Sequence, residues 1–252
     1  MISKAYIHEY GNQKLEREHE DVISILESRN IPFELFTDKK VSRNLLSLDN
    51  STFIVGNHFV FSSIFKKYKI KVPSNCYPKS LQKYLHRNVR ETTVRELALN
   101  FSEDIPSIFV KPRSRTKLFT GFTVASSLDV YRLVELPKNT ELYIAPVVEW
   151  KSEYRVFVNN SKVVGIKKYS GEDLYTLDMT VVENAINDLE NSEEKTQGYG
   201  IDFGILSTGE TALVEWNDGY ALGSYGLDKE IYTDLLLARW VEILNHMFPS
   251  EN

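Results

Sequence analysis

The tightest constraint on this chain lies in two short segments near its end. Residues 200–206 (GIDFGIL) and 211–216 (TALVEW) read as β-strands joined by STGE, a hairpin with its turn at 207–210. Side chains alternate along a strand, so within 211–219 (TALVEWNDG) Glu215 and Asn217 point the same way, and Trp216 points away into packing. With that turn, Asp202 lies opposite Glu215. Parity groups Asp202 with Gly204 and Leu206, and groups Leu213 with Glu215 and Asn217 on the partner strand. Each acid taken singly fits a solvated strand end. Two acids and an Asn facing one another in otherwise apolar strands point instead to a hard cation. Mg²⁺ takes oxygen donors and completes its shell with water and substrate phosphates.

Upstream, the order of elements predicts a small α/β unit. Residues 2–8, 31–37 and 51–55 read as strands, with a charged amphipathic helix over 14–29 and a second helix after GNHFVFSSIF. That unit ends near KVPSNCYP, where two prolines punctuate the chain. Residues 79–100 read as a basic helix. Strands follow at 107–111, 119–125 and 141–148, with a helix at 127–135. A hairpin over 153–158 and 162–168, a helix over 179–191 and a long amphipathic helix over 228–247 complete the pattern. The expected architecture is an N-terminal α/β lobe followed by an α+β part built on antiparallel hairpins.

Two further segments carry polar chemistry. In FVKP, Lys111 ends an apolar strand and points inward with Phe109. A buried lysine needs a partner, and a phosphate is a natural one beside a metal. The connection that follows, RSRTKLFTG, holds Arg113, Arg115 and Lys117 and ends at Gly121. Such a loop can close over phosphates with charge and backbone N–H groups, and a solvated basic turn has the same spacing. In APVVEWKSEYRVFV, the apolar strand end at Val147 and Val148 is suited to a nucleoside base, with Glu149 or Glu153 reaching ribose hydroxyls. Glu153 and Arg155 share a strand face, which equally describes an ordinary salt bridge.

Other chemistries find no support. The five histidines show no metal-ligand spacing, and no G-x-S-x-G, G-x-x-x-x-G-K-[ST] or G-x-G-x-x-G pattern occurs. The formal charge of −5 gives no pull toward nucleic acid or anionic membrane. One cysteine, Cys76, excludes an internal disulfide, and the polar N-terminus lacks the character of a signal peptide; a cytoplasmic protein is expected.

Taken in order, the lysine of FVKP, the loop ending at Gly121, EYRVFV, Asp202 in GIDFG, and VEWN resemble the ATP-grasp superfamily over about residues 80–247. The combination of SEYRVFV, YGIDFGIL and EWNDGYALGSYG is similar to a clade of ATP-grasp proteins proposed to be amide ligases. The resemblance implies a fold class of α/β plus α+β, with an N-terminal α/β pre-grasp domain at 1–78 and an ATP-grasp domain at 79–252. The latter divides into an ATP-binding subdomain of about 79–148 and a metal-binding subdomain of about 149–252.

The resemblance also implies roles. Lys111 contacts ATP phosphates, the loop carrying Arg113, Arg115, Lys117 and Gly121 covers them, Val147 and Val148 lie near the adenine, and Glu153 binds ribose. Asp202, Glu215 and Asn217 hold Mg²⁺, and Arg87 or Lys83 supplies an additional basic residue. Many ATP-grasp ligases place an arginine two residues before the Asp, where this chain has Gly200; stabilisation of an acyl-phosphate then falls to Arg155, Lys167 or Lys168. The implied activity is ATP- and Mg-dependent joining of a small-molecule or peptide carboxylate to an amine, with no nucleic-acid or membrane partner. A kinase-like phosphotransferase and a non-catalytic nucleotide-binding module are the alternatives. Residues 220–226 (YALGSYG) either line the acceptor pocket or simply connect to the last helix.

Overall fold

The computed structural model describes residues 2–73, 75–113 and 118–249. Arg115 and Lys117 of the basic loop lie outside the described residues. The N-terminal unit runs β1 (Lys4–His8), α1 (Arg17–Ser28), β2 (Phe33–Phe36), α2 (Asp38–Ser42), β3 (Thr52–Val55) and α3 (His58–Tyr68). Its three strands form a parallel sheet in the order β2-β1-β3. α3 starts where the Asn57 side chain accepts from the Phe59 and Val60 amides, capping two otherwise unpaired N–H groups. It buries Val60, Phe61, Ile64 and Phe65, one face of a 3.6-residue repeat.

A 3₁₀ turn at Lys79–Tyr84 leads to β4 (Arg90–Thr93), α4 (Val94–Asn100), β5 (Ile108–Pro112), β6 (Phe122–Val124), α5 (Ser127–Tyr131) and β7 (Glu141–Pro146). These strands form an antiparallel sheet in the order β4-β7-β5-β6. The helix expected over 79–100 is therefore three elements. The cause is local. Thr93 and Glu96 form a reciprocal capping box that starts a helix at Val94 and leaves the preceding residues free to pair with β7.

The third sheet has the order β11-β10-β8-β9, built from β8 (Trp150–Asn159), β9 (Lys162–Gly171), β10 (Gly198–Leu206) and β11 (Thr211–Asp218), with α6 (Met179–Glu190) packed on one side. The final helix, α7 (Lys229–Met247), turns back onto the N-terminal unit. Its buried positions 232, 235, 236, 239, 240, 243 and 244 follow the three-four spacing of a single stripe. The Trp240 indole donates to the Thr52 carbonyl at 2.7 Å, and Leu235, Trp240 and Ile243 share one core with Ile7, Phe53 and Phe61. Arg239 sits inside the stripe because Asp218 at the end of β11 receives it through two hydrogen bonds of 2.6 and 2.8 Å. Asp218 is thus part of the packing between β11 and α7. Among the described residues no helix is long and apolar enough to cross a membrane.

Candidate functional site

The central hairpin is irregular at the point that matters. Asp202 pairs with Glu215, but Phe203 pairs with Leu213, so Val214 is an extra residue in β11. This bulge breaks the simple alternation. Leu213 joins Trp216, Phe203 and Ile201 in the buried core on the far face, so it does not share a face with Glu215 as parity predicted. Asp202, Glu215 and Asn217 do converge. The Asn217 amide donates to Asp202 Oδ2 at 3.2 Å and to Glu215 Oε1 at 3.3 Å.

Cations arrive from two directions. Arg155 on β8 stands opposite Asp202 and holds it with a fork of two 2.7 Å bonds, from Nε to Oδ1 and from Nη2 to Oδ2. Lys111 comes from the other sheet, on β5, and its ammonium donates to Glu215 Oε2. The ring of Tyr77 lies 4.8 Å from the same ammonium. The two antiparallel sheets therefore face each other across a cleft closed by Lys111 and Glu215.

Burial shapes the charges. It pushes Asp202 up to about 6 against the pull of Arg155, with Glu215 adding to the rise. Burial also acts to raise Glu215, but Lys111 outweighs it and the carboxyl is held below its ordinary range. Lys111 itself is pulled down by burial and pushed up by Glu215 and Tyr77, and the net direction is upward. The cluster is thus ionised at neutral pH.

The remaining candidates fall into distinct places. Glu153 shares the face of Arg155, accepts from the Tyr169 hydroxyl at 3.2 Å, and is raised chiefly by burial. Val147 and Val148 lie in the connection of residues 147–149 between β7 and β8, where the chain passes from one sheet to the other. Lys167 stands opposite Arg155 across β8 and β9, and among the described residues it has no ion-pair partner. Lys168 pairs with Tyr154 on the other face and binds Asp173. Arg113 binds Glu91 and Glu141. Lys83 binds Asp188. Arg87 spends its guanidinium on the carbonyls of Leu85, Leu213 and Val214 and stacks over Trp150 at 5.2 Å.

Two glycines permit close approach. A Cβ on Gly121 would stand 2.4 Å from the Phe109 ring and 3.1 Å from Lys111 Cβ, so only glycine lets the end of the basic loop lie over the lysine. A Cβ on Gly200 would meet Leu222 at 2.8 Å and Arg155 Cδ at 3.1 Å. The position where related chains carry an arginine is therefore the space through which Arg155 passes, from the neighbouring strand, to reach Asp202.

Three tyrosines were not legible as site residues. Tyr169 and Tyr225 stack with ring centroids 4.7 Å apart, and Arg155 lies 4.7 Å from the Tyr225 ring. Tyr77 underlies Lys111. The motif YALGSYG contains Tyr225, but no spacing ties it to Arg155, and Tyr77 stands far upstream.

Among the described residues no group of three His, Cys, Asp or Glu is placed to bind a metal. The set Asp202, Glu215 and Asn217 nonetheless fits Mg²⁺ by donor chemistry: two carboxylates and a carboxamide, all hard oxygen donors. The carboxylates here draw Arg155, Lys111 and the Asn217 N–H groups toward them, as an uncompensated anionic pair would.

Residues 84–235 match a family model for an ATP-grasp domain, the second family of its clade. The chain belongs to this family. Solved ATP-grasp structures share its fold. A D-alanine–D-alanine ligase from Bacillus anthracis complexed with ATP is 14% identical, with a TM-score of 0.60 over 98% of this chain and 99% of that one. The ATP-grasp ligase PsnB complexed with a minimal precursor is 11% identical, with a TM-score of 0.56 over 94% and 99%. The N5-carboxyaminoimidazole synthase from Aspergillus clavatus, in complex with ADP and 5-aminoimidazole ribonucleotide, is 15% identical, with a TM-score of 0.54 over 95% and 77%. No curated protein sequence matches significantly. In this ATP-grasp chain the cleft between the two antiparallel sheets is the family's namesake element, and Lys111 and Glu215 are the residues that meet across it.

Proposed function

We propose that the protein is an ATP-dependent ligase that joins a carboxylate to an amine through an acyl-phosphate. The observation that carries this reading is the contact of Lys111 with Glu215 across the cleft, beside the buried Asp202–Arg155 pair. It sets fixed positive charge from β5 against a hard-oxygen donor set on β10 and β11, in surroundings where charge acts more strongly than in water. ATP lies in this cleft with its base near Val147 and Val148, its ribose at Glu153 and its phosphates at Lys111 and under the loop of Arg113, Arg115, Lys117 and Gly121.

Asp202, Glu215 and Asn217 would hold Mg²⁺, whose chemistry is to offset charge on the phosphates as one is transferred. On binding, Lys111 exchanges Glu215 for a phosphate. A substrate carboxylate oxygen attacks the γ-phosphorus, the bond to the bridging oxygen of ADP breaks, and an acyl-phosphate forms. The amine nitrogen then attacks the acyl carbon, the C–O bond to phosphate breaks, and the nitrogen loses a proton to solvent. Arg155 and Lys167 face this region and supply positive charge for the transferred group; Lys168, on the other side of β9, is the more distant of the three candidates. The three metal-holding residues are positional and exchange no protons.

ATP turnover with panels of carboxylates and amines tests the reading. Release of ADP and phosphate that depends on both substrates is the expected result. ADP without free phosphate would identify a phosphotransferase, and nucleotide binding without turnover would identify a binding module.

A further inference from the structure

A second cavity, of about 530 Å³, lies at the carboxyl ends of the parallel strands β1 and β3, in the place where open α/β sheets form a crevice. Its other wall is residues 220–223, which follow β11. It adjoins the nucleotide cleft directly, because the Gly223 carbonyl in its wall accepts Arg155 Nη1 at 3.4 Å.

One side of the cavity offers hydrogen-bond acceptors. Glu18 is half-buried, its sole contact is the Ser224 hydroxyl at 3.5 Å, and no cation pairs with it among the described residues. Glu16 accepts from the Tyr10 hydroxyl. His19 is 3% exposed and lines the same wall. Its Nδ1 lies 2.8 Å from the His8 carbonyl, which can only accept, so Nδ1 carries the proton and Nε2 holds the lone pair. Nε2 makes no hydrogen bond; its nearest charged neighbour is Glu16 at 3.8 Å. Burial pushes the His19 pKa down, which keeps the ring neutral. No lysine or arginine lines the cavity among the described residues. The other side is apolar, with Val55, Phe59, Leu222 and Leu236.

A ligand matching this wall brings N–H donors and positive charge at one end and hydrocarbon at the other. We propose that the cavity is the amine subsite, which takes a primary ammonium on Glu18, Glu16 and His19 Nε2 and packs its hydrocarbon part against Val55, Phe59 and Leu222. This assignment rests on the ligase reading for the meaning of the amine, but the binding itself is separable from turnover. The carboxylate partner is correspondingly excluded from the cavity, because two acids already occupy its wall.

The experiment titrates the full chain by calorimetry with a series of alkyl- and arylammonium chlorides, from methylammonium to 2-phenylethylammonium, and with phenylacetate as the acid of matching shape. Saturable binding of the larger amines and none of phenylacetate is expected. Glu18→Gln should weaken amine binding about tenfold, the loss of one charge-assisted contact, with the affinity for a non-hydrolysable ATP analogue unchanged. Binding of phenylacetate, failure of every amine to bind, or equal amine affinity in wild type and Glu18→Gln would overturn the subsite. The two readings fail separately. Amine binding that Glu18→Gln weakens, with no ADP release under any carboxylate, removes the ligase and keeps the ammonium site. Amine-dependent ADP release with the same amine KM in Glu18→Gln keeps the ligase and removes the cavity from it.

Discussion

Arg87 Nη1 donates to the carbonyl of Leu213 at 2.6 Å, and its Nη2 donates to Val214 at 2.9 Å, where β11 bulges one residue ahead of Glu215. A bulge leaves backbone groups without ladder partners, and a guanidinium with its fork of donors is suited to hold two of them. Arg87 thereby fixes the strand geometry that turns Glu215 toward the cleft while Leu213 goes to the core. Arg87→Ala should lower stability by about 2 kcal/mol, since partly buried carbonyls lose charge-assisted partners. Chemical denaturation measures this. An arginine that serves nucleotide alone would leave the unfolding midpoint unchanged and weaken only ATP binding.

Glu215→Ala and Asn217→Ala should each abolish Mg²⁺-dependent turnover while the fold survives. Circular dichroism and ADP release on the same samples check both halves. Wild-type turnover in both variants would end the metal assignment.

Lys111→Ala should weaken ATP binding about tenfold, the scale of one hydrogen bond to a charged group. Because Lys111 neutralises Glu215 in the nucleotide-free protein, the two residues should also be energetically coupled. A double-mutant cycle with Glu215→Gln should be non-additive in stability. Additive effects, or unchanged nucleotide affinity, would remove Lys111 from the site.

Asp202 predicts a pH effect on the metal-free protein. Its folded value of about 6 exceeds the ordinary 3.8, so the folded state binds the proton more tightly than the unfolded chain. The stabilisation is fully present below about pH 3.8 and is lost as pH rises through about 6. Urea unfolding of wild type and Asp202→Asn should diverge accordingly. The stability of wild type relative to the variant should fall by on the order of 2 kcal/mol between about pH 4 and 6.5. A constant difference across that window would show that Arg155 fully offsets the burial of Asp202.

The buried pair of Arg239 and Asp218 predicts the opposite kind of outcome. Arg239→Met leaves the Asp218 carboxylate without its fork of donors and should cost about 3 kcal/mol or more. Nucleotide affinity should not change, because both residues serve the seat of α7 on β11. A selective loss of ATP binding would place them in the site instead.

Much of this was legible in order and type. Opposed strands around STGE place Asp202 across from Glu215, and the spacing of Glu215 and Asn217 puts both on one face. FVKP marks Lys111 at the end of an apolar strand. The element pattern of 1–68 yields a parallel sheet, and the repeat over 228–247 yields one long helix. Local errors have local causes: the T-x-x-E capping box at Thr93 cuts the expected helix at 79–100, and the extra Val214 moves Leu213 to the other face. Neither the stacking of Tyr169 on Tyr225 nor the contact of Tyr77 with Lys111 has a signature in spacing, because each joins segments far apart in the chain.

The amino-acid sequence by itself determined the periodicities, the caps, the hairpin pairing and the kinds of donor available, because these depend on neighbours within a few residues. Tertiary structure alone decided which cation meets which anion. Lys111 faces Glu215 because two separate sheets close on each other, and Arg155 reaches Asp202 because Gly200 on the next strand leaves it room. The cavity at β1 and β3 exists because residues 220–223 close it from the far end of the chain. Such contacts are set by the packing of whole elements, and a one-dimensional pattern carries no term for them.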